Sequence, residues 1–257
     1  MTYLFEHSWE HERKRLAAIE RGDLTTAECL TSIGVAEGWN CLEVGAGAGS
    51  IARWLCQRVG PSGRVVATDL EVKFLEETVA ENLEIRRHDI TIDPLEEDAF
   101  DLVHARKVLE HLPDYKTALQ RMLTAARSGG WILVEDADLL SLFHASCSDV
   151  SFFARAYRAF IDTMCSAGYQ ADLGLHLGGH LRELGLKDVQ VRGWTSEWTG
   201  AGDQPSTWVL TFEKIRDRVV EQGRLSLGEA DRLLAEIRSP NFRAITGVHF
   251  AAWGRKP

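Results

Sequence analysis

Short apolar runs alternate along the first half of the chain with segments whose apolar residues recur three and four apart. The runs lie at 40–44, 64–69, 84–88, 100–104 and 131–135. Their length and their Val, Ile and Leu content predict strands buried on both faces. Between them, 50–59, 71–81 and 114–127 carry the helical spacing. Pro113-Asp114 opens the last of these, and Ser128-Gly129-Gly130 closes it. Strand, helix, strand in repetition means crossover connections and a parallel sheet with helices on both faces.

After residue 135 the rhythm changes. A long helical pattern at 150–165 places Phe152, Phe153, Tyr157, Phe160, Ile161 and Met164 on one face. A helix is expected at 175–184, strands at 188–194 and 244–253, and two helices between those strands at 206–222 and 227–237. The stretch 200–205, GAGDQP, reads as a loop. No internal repeat or Pro-rich linker divides the chain. The expected architecture is α/β: a doubly wound, seven-stranded, mostly parallel sheet of Rossmann-like form with helical cap insertions. One domain spans 1–257, with cap or lid elements at about 1–35, 139–185 and 203–240.

Composition narrows the function classes. The 257 residues are 45% hydrophobic and 26% charged, which excludes disorder and coiled coil as whole-chain descriptions. A formal net charge of −9 opposes a phosphate backbone, so nucleic acid is not an expected partner. No apolar run approaches the roughly 20 residues that span a bilayer, so no membrane partner is expected. Five scattered cysteines without a CxxC pair read as reduced thiols, hence a cytoplasmic setting.

The chemistry-bearing stretch is Leu42–Ser50, LEVGAGAGS, where the first strand should turn into the first helix. Gly45, Gly47 and Gly49 let the backbone approach a ligand that side chains would block. The spacing is GxGxG, with Ser50 where a dinucleotide fingerprint has Gly or Ala. Glu43, two residues before the loop, would repel a pyrophosphate but suits a sulfonium and an amino group. Asp69 ends the second strand about 20 residues after the glycines, where an acid accepts ribose hydroxyls.

With these features the chain resembles the class I S-adenosylmethionine-dependent methyltransferases, in the ubiquinone/menaquinone-biosynthesis-type branch. LEVGAGAGS at 42–50, VVATD at 65–69, RHDI at 87–90, FDLVHARKVLEHLPD at 100–114 and SGGWILVED at 128–136 carry the resemblance. It implies S-adenosyl-L-methionine as cofactor, with Glu43 and the three glycines at the methionine and ribose end. Asp69 would bind the ribose and Leu70 the adenine face. Asp89 would accept from the adenine amino group, with Ile90 on the ring. Ala105 and Arg106 would touch the methionine end. An N-terminal helix would fold over the cofactor, making Tyr3, Trp9 and Arg13 lid candidates, with Trp9 against the cofactor.

Methyl transfer needs a nucleophile aligned with an activated methyl, and a base only where the nucleophile loses a proton. His111, Glu135 and Tyr157 are the candidates for that catalytic part. Tyr3, His7, Asp136 and Phe153 are candidates to contact the acceptor. The pairs His7/His11 and His176/His180 have helical spacing but no HExxH, so no metal is expected. Two features depart from the family pattern. A helical insertion at about 206–238 separates the last two strands, with lid or homodimer contacts as its options. HARKVLEHLPD stands where amino-methylating enzymes of adenine or glutamine carry NPPY. The expected activity is methylation of a small organic acceptor, aromatic or apolar and natural-product-like, in secondary metabolism. The alternatives are a non-methylating cyclase or decarboxylase, or a non-catalytic regulatory protein, on the same cofactor site.

Overall fold

The sheet forms around β1 (Asn40–Val44), whose Cys41, Leu42 and Val44 are buried among strands on both sides. The structure is a computed structural model and describes residues 11–200 and 206–257. The remaining strands are β2 (Arg64–Asp69), β3 (Leu83–Arg87), β4 (Phe100–Arg106), β5 (Ala126–Ser146), β6 (Lys187–Trp194), β7 (Trp198–Thr199) and β8 (Arg243–Arg255). The helices are α1 (Glu12–Ile19), α2 (Asp23–Ile33), α3 (Ser50–Val59), α4 (Tyr115–Ala125), α5 (Val150–Ser166), α6 (Leu173–Glu183), α7 (Thr207–Glu221) and α8 (Leu227–Ile237). The strand order is β3-β2-β1-β4-β5-β8-β6. Pairs from β3 to β5 are parallel, and β8 runs antiparallel to both β5 and β6. Seven strands were expected; the eighth is the two-residue β7, which pairs with the start of β8. The order reverses beside β1, so the carboxyl ends of β1, β2 and β4 open onto the crevice where doubly wound sheets bind ligands.

One apolar core lies on each face of this sheet, built by α3 with β1 and β2 on one side and by α4 and α6 with β4 and β5 on the other. A third core joins α5, α7, α8 and the outer parts of β5 and β8. Two strands, β5 and β8, run through both this cap and the sheet. Strand β5 pairs with β8 from Trp131↔Arg255 to Ser146↔Arg243, with a register shift between Asp138 and Phe143. Asp138 Oδ1 stabilises that irregularity by accepting from Leu140 N at 2.9 Å and Ser141 N at 3.3 Å.

One local expectation is corrected. Residues 71–81 do not form a helix; only a single 3₁₀ turn, Leu75–Glu77, is present. Thr78 takes an extended backbone, and its hydroxyl donates to Ala48 O at 3.3 Å, so a contact to the glycine loop overrides the local spacing. The helix expected at 175–184 is present as α6, and Gly178-Gly179 lie inside it. A Cβ at Gly178 would collide with Val191 of β6, and one at Gly174 would lie 2.6 Å from the Ala137 carbonyl carbon. The glycines therefore let α6 lie close against the sheet. That close approach offsets their helix penalty of about 1 kcal/mol each.

Candidate active site

The loop after β1 has no room for side chains at its turning points. Gly45 and Gly49 have φ values of 67° and 79°, and a Cβ at either would strike Val108 or Thr78. Asp69, at the end of β2, accepts from Gly47 N through Oδ2 at 2.8 Å and from Glu71 N through Oδ1 at 3.1 Å. The acid thus fixes the loop that faces it. Asp89 Oδ1 accepts from Thr91 N at 2.8 Å and Thr91 Oγ1 at 2.6 Å, which sets the turn after β3. Leu70 is left 45% exposed at the rim of the cavity, outside the core.

A cavity of about 810 Å³ begins at this loop and runs under the cap. Its inner end is lined by Glu43, Gly45, Gly47, Asp69, Leu70, Asp89, Ile90 and Arg106. Its outer end is walled by Met164, Tyr169, Trp194, Trp198, Trp208 and Phe250. Arg15, Leu16 and Ile19 of α1 close one side.

Two polar groups lie at its floor on opposite faces of β5. On the first face, His104 Nδ1 is 2.6 Å from Glu43 Oε2 and its Nε2 is 3.0 Å from Glu135 Oε1. Glu135 Oε2 accepts from Thr26 Oγ1 at 3.1 Å. Arg106 donates to Thr26 Oγ1 at 3.0 Å and to Asp23 Oδ1 at 2.6 Å, tying α2 to the strand ends. Burial opposes charge on His104, but Glu43 and Glu135 overcome it and push its pKa up to about 9.

On the second face, Asp136 is 1% exposed and neither carboxyl oxygen makes a hydrogen bond. The Glu110 N–H lies near it but outside hydrogen-bonding geometry. Burial, then the neighbouring Glu110, push the Asp136 pKa well above the usual carboxylate range. Glu110 Oε2 accepts from Ala137 N at 2.8 Å and lies 3.7 Å from Lys107 Nζ. Lys107 has a positive φ of 58° and donates to His249 Nδ1 at 2.9 Å. That ammonium, with burial, pushes His249 down to about 3, so its ring is neutral. His111 is partly buried, packs edge-on to Tyr169 with centroids 5.1 Å apart, and is pushed down to about 4 chiefly by desolvation.

The structure thus brings most of the expected residues to one cavity, including Glu43, Asp69, Asp89, Arg106, His111, Glu135 and Asp136. Several lie elsewhere. Gly49 is covered by Thr78, and Ala105 packs inside the core beside α4 and α6. Phe153 is fully buried in the cap, and the Tyr157 hydroxyl donates to Leu139 O at 3.2 Å there. Neither aromatic ring lines the cavity, because α5 turns that face onto α7, α8 and β8. Glu135 reaches the cavity with both oxygens already engaged, so it has no lone partner to offer a substrate. Arg13 pairs with Glu20 and Glu77, each at 3.6 Å. Tyr3, His7 and Trp9 lie outside the described residues. No group of three or more potential metal ligands occurs among the described residues. No helix there is long and apolar enough to cross a membrane.

Sequence reasoning missed His104, Lys107, Glu110, Tyr169, Trp198, Trp208 and His249. The first three lie within the quoted motif at 100–114, and the alternation of β4 is a signal that could have found His104. His249 and the tryptophans have no spacing signal, since only the return of β8 and α7 brings them in.

A family model described as "Methyltransferase domain" matches residues 42–134. A 37.1 kDa protein of transposon TN4556 from Streptomyces fradiae is 29% identical over 224 residues, covering 84% of this chain and 63% of that protein. The demethylmenaquinone methyltransferase of Lactococcus lactis subsp. lactis is 27% identical over 125 residues, covering 46% of this chain and 50% of the relative. This chain therefore spans less than two thirds of either relative. Among solved structures, phosphoethanolamine N-methyltransferase 2 of Haemonchus contortus, in complex with phosphomonomethylethanolamine and S-adenosylhomocysteine, superimposes with a TM-score of 0.56 at 17% identity. That match covers 95% of this chain and 53% of the other, and likeness at this level speaks to the fold. Residues 42–134 therefore match a methyltransferase domain, and the chain has the fold of S-adenosylmethionine-dependent methyltransferases.

Proposed function

We propose that this protein transfers the methyl group of S-adenosylmethionine to a small organic acceptor with an aromatic or apolar body. The observation that carries the reading is one continuous cavity, about 810 Å³, which joins the glycine loop to a wall of Trp194, Trp198 and Trp208. The residues present fit the cofactor. The loop is a cradle that a Cβ would fill, Asp69 lines the cavity opposite it, and Leu70 and Ile90 suit an adenine face. Glu43 would hold the amino group. When bound, the cofactor supplies an electrophilic methyl on a sulfonium.

The chain's own part is alignment, exclusion of water and the fate of one proton. The tryptophan walls hold a flat apolar body by offset or edge contacts. Asp136 would take the proton from an O–H or N–H nucleophile. Its raised pKa brings its basicity closer to neutral pH, where a general base works best. His111, being neutral, would position the acceptor rather than bear charge. Lid elements in α1 and α7 and a homodimer are part of the same reading. The name of the demethylmenaquinone methyltransferase supports an aromatic acceptor.

The test is binding, then transfer. Calorimetry should give a micromolar affinity for S-adenosylmethionine and S-adenosylhomocysteine, about −8 kcal/mol. Labelled methyl should pass to members of a phenol, quinol and arylamine panel. Heat with a nicotinamide dinucleotide but with neither sulfur ligand would sink the reading. Tight cofactor binding without transfer to any acceptor would favour the non-methylating alternatives.

A further inference from the structure

With both acids ionised, the bridge between Glu43 and Glu135 has one chemical solution. Both ring nitrogens of His104 face carboxylate oxygens, at 2.6 and 3.0 Å, and the ring is completely buried. A neutral imidazole has one N–H. In that form one of the two contacts would set a ring lone pair against a carboxylate. Only the doubly protonated ring donates to both. Glu135 cannot turn away, because its second oxygen is held by Thr26, which Arg106 holds in turn. Glu43 bonds to the ring through Oε2 alone, and the residue lines the cavity beside Gly45.

We propose that His104 is a positioning residue that, as an imidazolium, clamps Glu43 to Glu135 and holds the remaining Glu43 oxygen in place for the ammonium group of the cofactor. The proposal rests on the methyltransferase reading above. The clamp spans β1, β4 and β5, so it fixes the three strand ends that frame the inner cavity. It also has a charge logic. Two carboxylates and one imidazolium leave a single net negative charge, which attracts a cationic donor without the repulsion of two bare acids. An uncharged residue at 104 would leave those acids facing each other across a buried gap, and Glu43 would lose its fixed orientation.

The groups that bond to the ring are Glu43 from β1 and Glu135 from β5; beyond Glu135 a chain of contacts runs through Thr26 to Arg106 and Asp23, and the Cys29 thiol of α2 lies within the field of Glu135. Burial pushes the Cys29 thiol up to about 11, so it stays uncharged while the ring titrates. The ring is therefore the group that changes charge as pH rises through about 9.

Two measurements decide the proposal. The first is nitrogen-15 NMR of the histidine-labelled wild-type protein, which needs no variant. At pH 7.5 both nitrogens of His104 should show imidazolium shifts, and a neutral ring would overturn the proposal. The second is calorimetry with S-adenosylmethionine from pH 7.5 to 10 on wild type and His104→Gln, with melting curves to confirm folding. Dividing one affinity by the other cancels the titration of the ligand's own amine. His104→Gln should bind on the order of tenfold more weakly at pH 7.5. The ratio should shrink toward unity by pH 10, a change that a purely packing role would not produce. An equal affinity at pH 7.5, or a ratio constant with pH, would remove the clamp while leaving the methyltransferase reading intact. A wild-type protein that binds no S-adenosylmethionine would instead remove that reading, and with it the ligand of the clamp.

Discussion

Glu135 and Asp136 are adjacent in sequence and both almost fully buried, yet they are in opposite situations. Glu135 has two partners for its two oxygens, and one of them carries a compensating charge. Asp136 has none, and its nearest charged neighbours include another acid, Glu110. The strand's period of two sends one side chain to the His104 face and the other to the Glu110 face. The difference separates the acid that is engaged structurally from the acid that the proposed function assigns to the acceptor. A buried carboxylate that is fully bonded organises its surroundings. A buried carboxyl with no bond is destabilising in itself and persists where another partner arrives.

The largest expected break of this contrast is Glu135→Ala. It would leave the His104 imidazolium with one carboxylate in a buried site, at about 3–5 kcal/mol of stability. Denaturant unfolding should read this directly, and a loss below about 1 kcal/mol would mean the trio is not ionised. Asp136→Asn should behave the other way. Methyl transfer should fall about 100-fold, near the lower end for loss of a general base, while stability holds or rises slightly. The sign follows from linkage. Asp136 takes up a proton on folding, so its share of stability falls as pH rises above the usual carboxylate range, and Asn has no such proton. Parallel kinetics and melting curves would sharpen the comparison; a destabilised but active variant would invert it.

Gly174→Ala probes the support beneath Asp136. The new Cβ would lie 2.6 Å from the Ala137 carbonyl carbon and 2.7 Å from Asp136 O, both backbone, so α6 must shift. About 1–3 kcal/mol is expected, together with weaker acceptor binding at unchanged cofactor affinity. The pH dependence of stability sharpens the other face. His104 contributes fully below about pH 6.5, its unfolded value, and that contribution is lost as pH rises through about 9. Melting curves at pH 6 and pH 10 should differ in that direction in wild type, and less so in His104→Gln. The smallest effect belongs to Tyr157→Phe, which removes a hydroxyl bonded to Leu139 O in the cap. A stability loss of about 1 kcal/mol without change in turnover is expected, and a large loss of turnover would return Tyr157 to the site.

Much of the site was legible because its parts are local. Glu43, the glycines and Asp69 stand at strand ends fixed by short apolar runs, and β1, β2 and α3 have the boundaries that the pattern predicts. Where a distant contact competes with a local preference, legibility fails. The segment 71–81 has helical spacing, but Thr78 bonds to Ala48 instead. The aromatic face of α5 has a clear period, yet the period alone does not say whether a face meets a cavity or a core. Here Phe153 stacks on Phe143 and meets Phe242 edge-on, while Trp198 and Trp208, from two separate elements, reach the cavity.

The sequence by itself determined the doubly wound sheet, the glycine turn and the acid opposite it. Each of these depends on residues near in sequence, on β-strand burial and on backbone that only glycine adopts without strain. The tertiary structure alone decided that His104 lies between two carboxylates from other strands and that Asp136 lies beside Glu110 without a partner. It also decided that the cap's tryptophans wall the far end of the cavity. Hydrogen-bond partners and burial are properties of residues brought together from 31 to 142 positions apart. No periodicity records them, and only the register of the sheet and the return of β8 across it place them in contact.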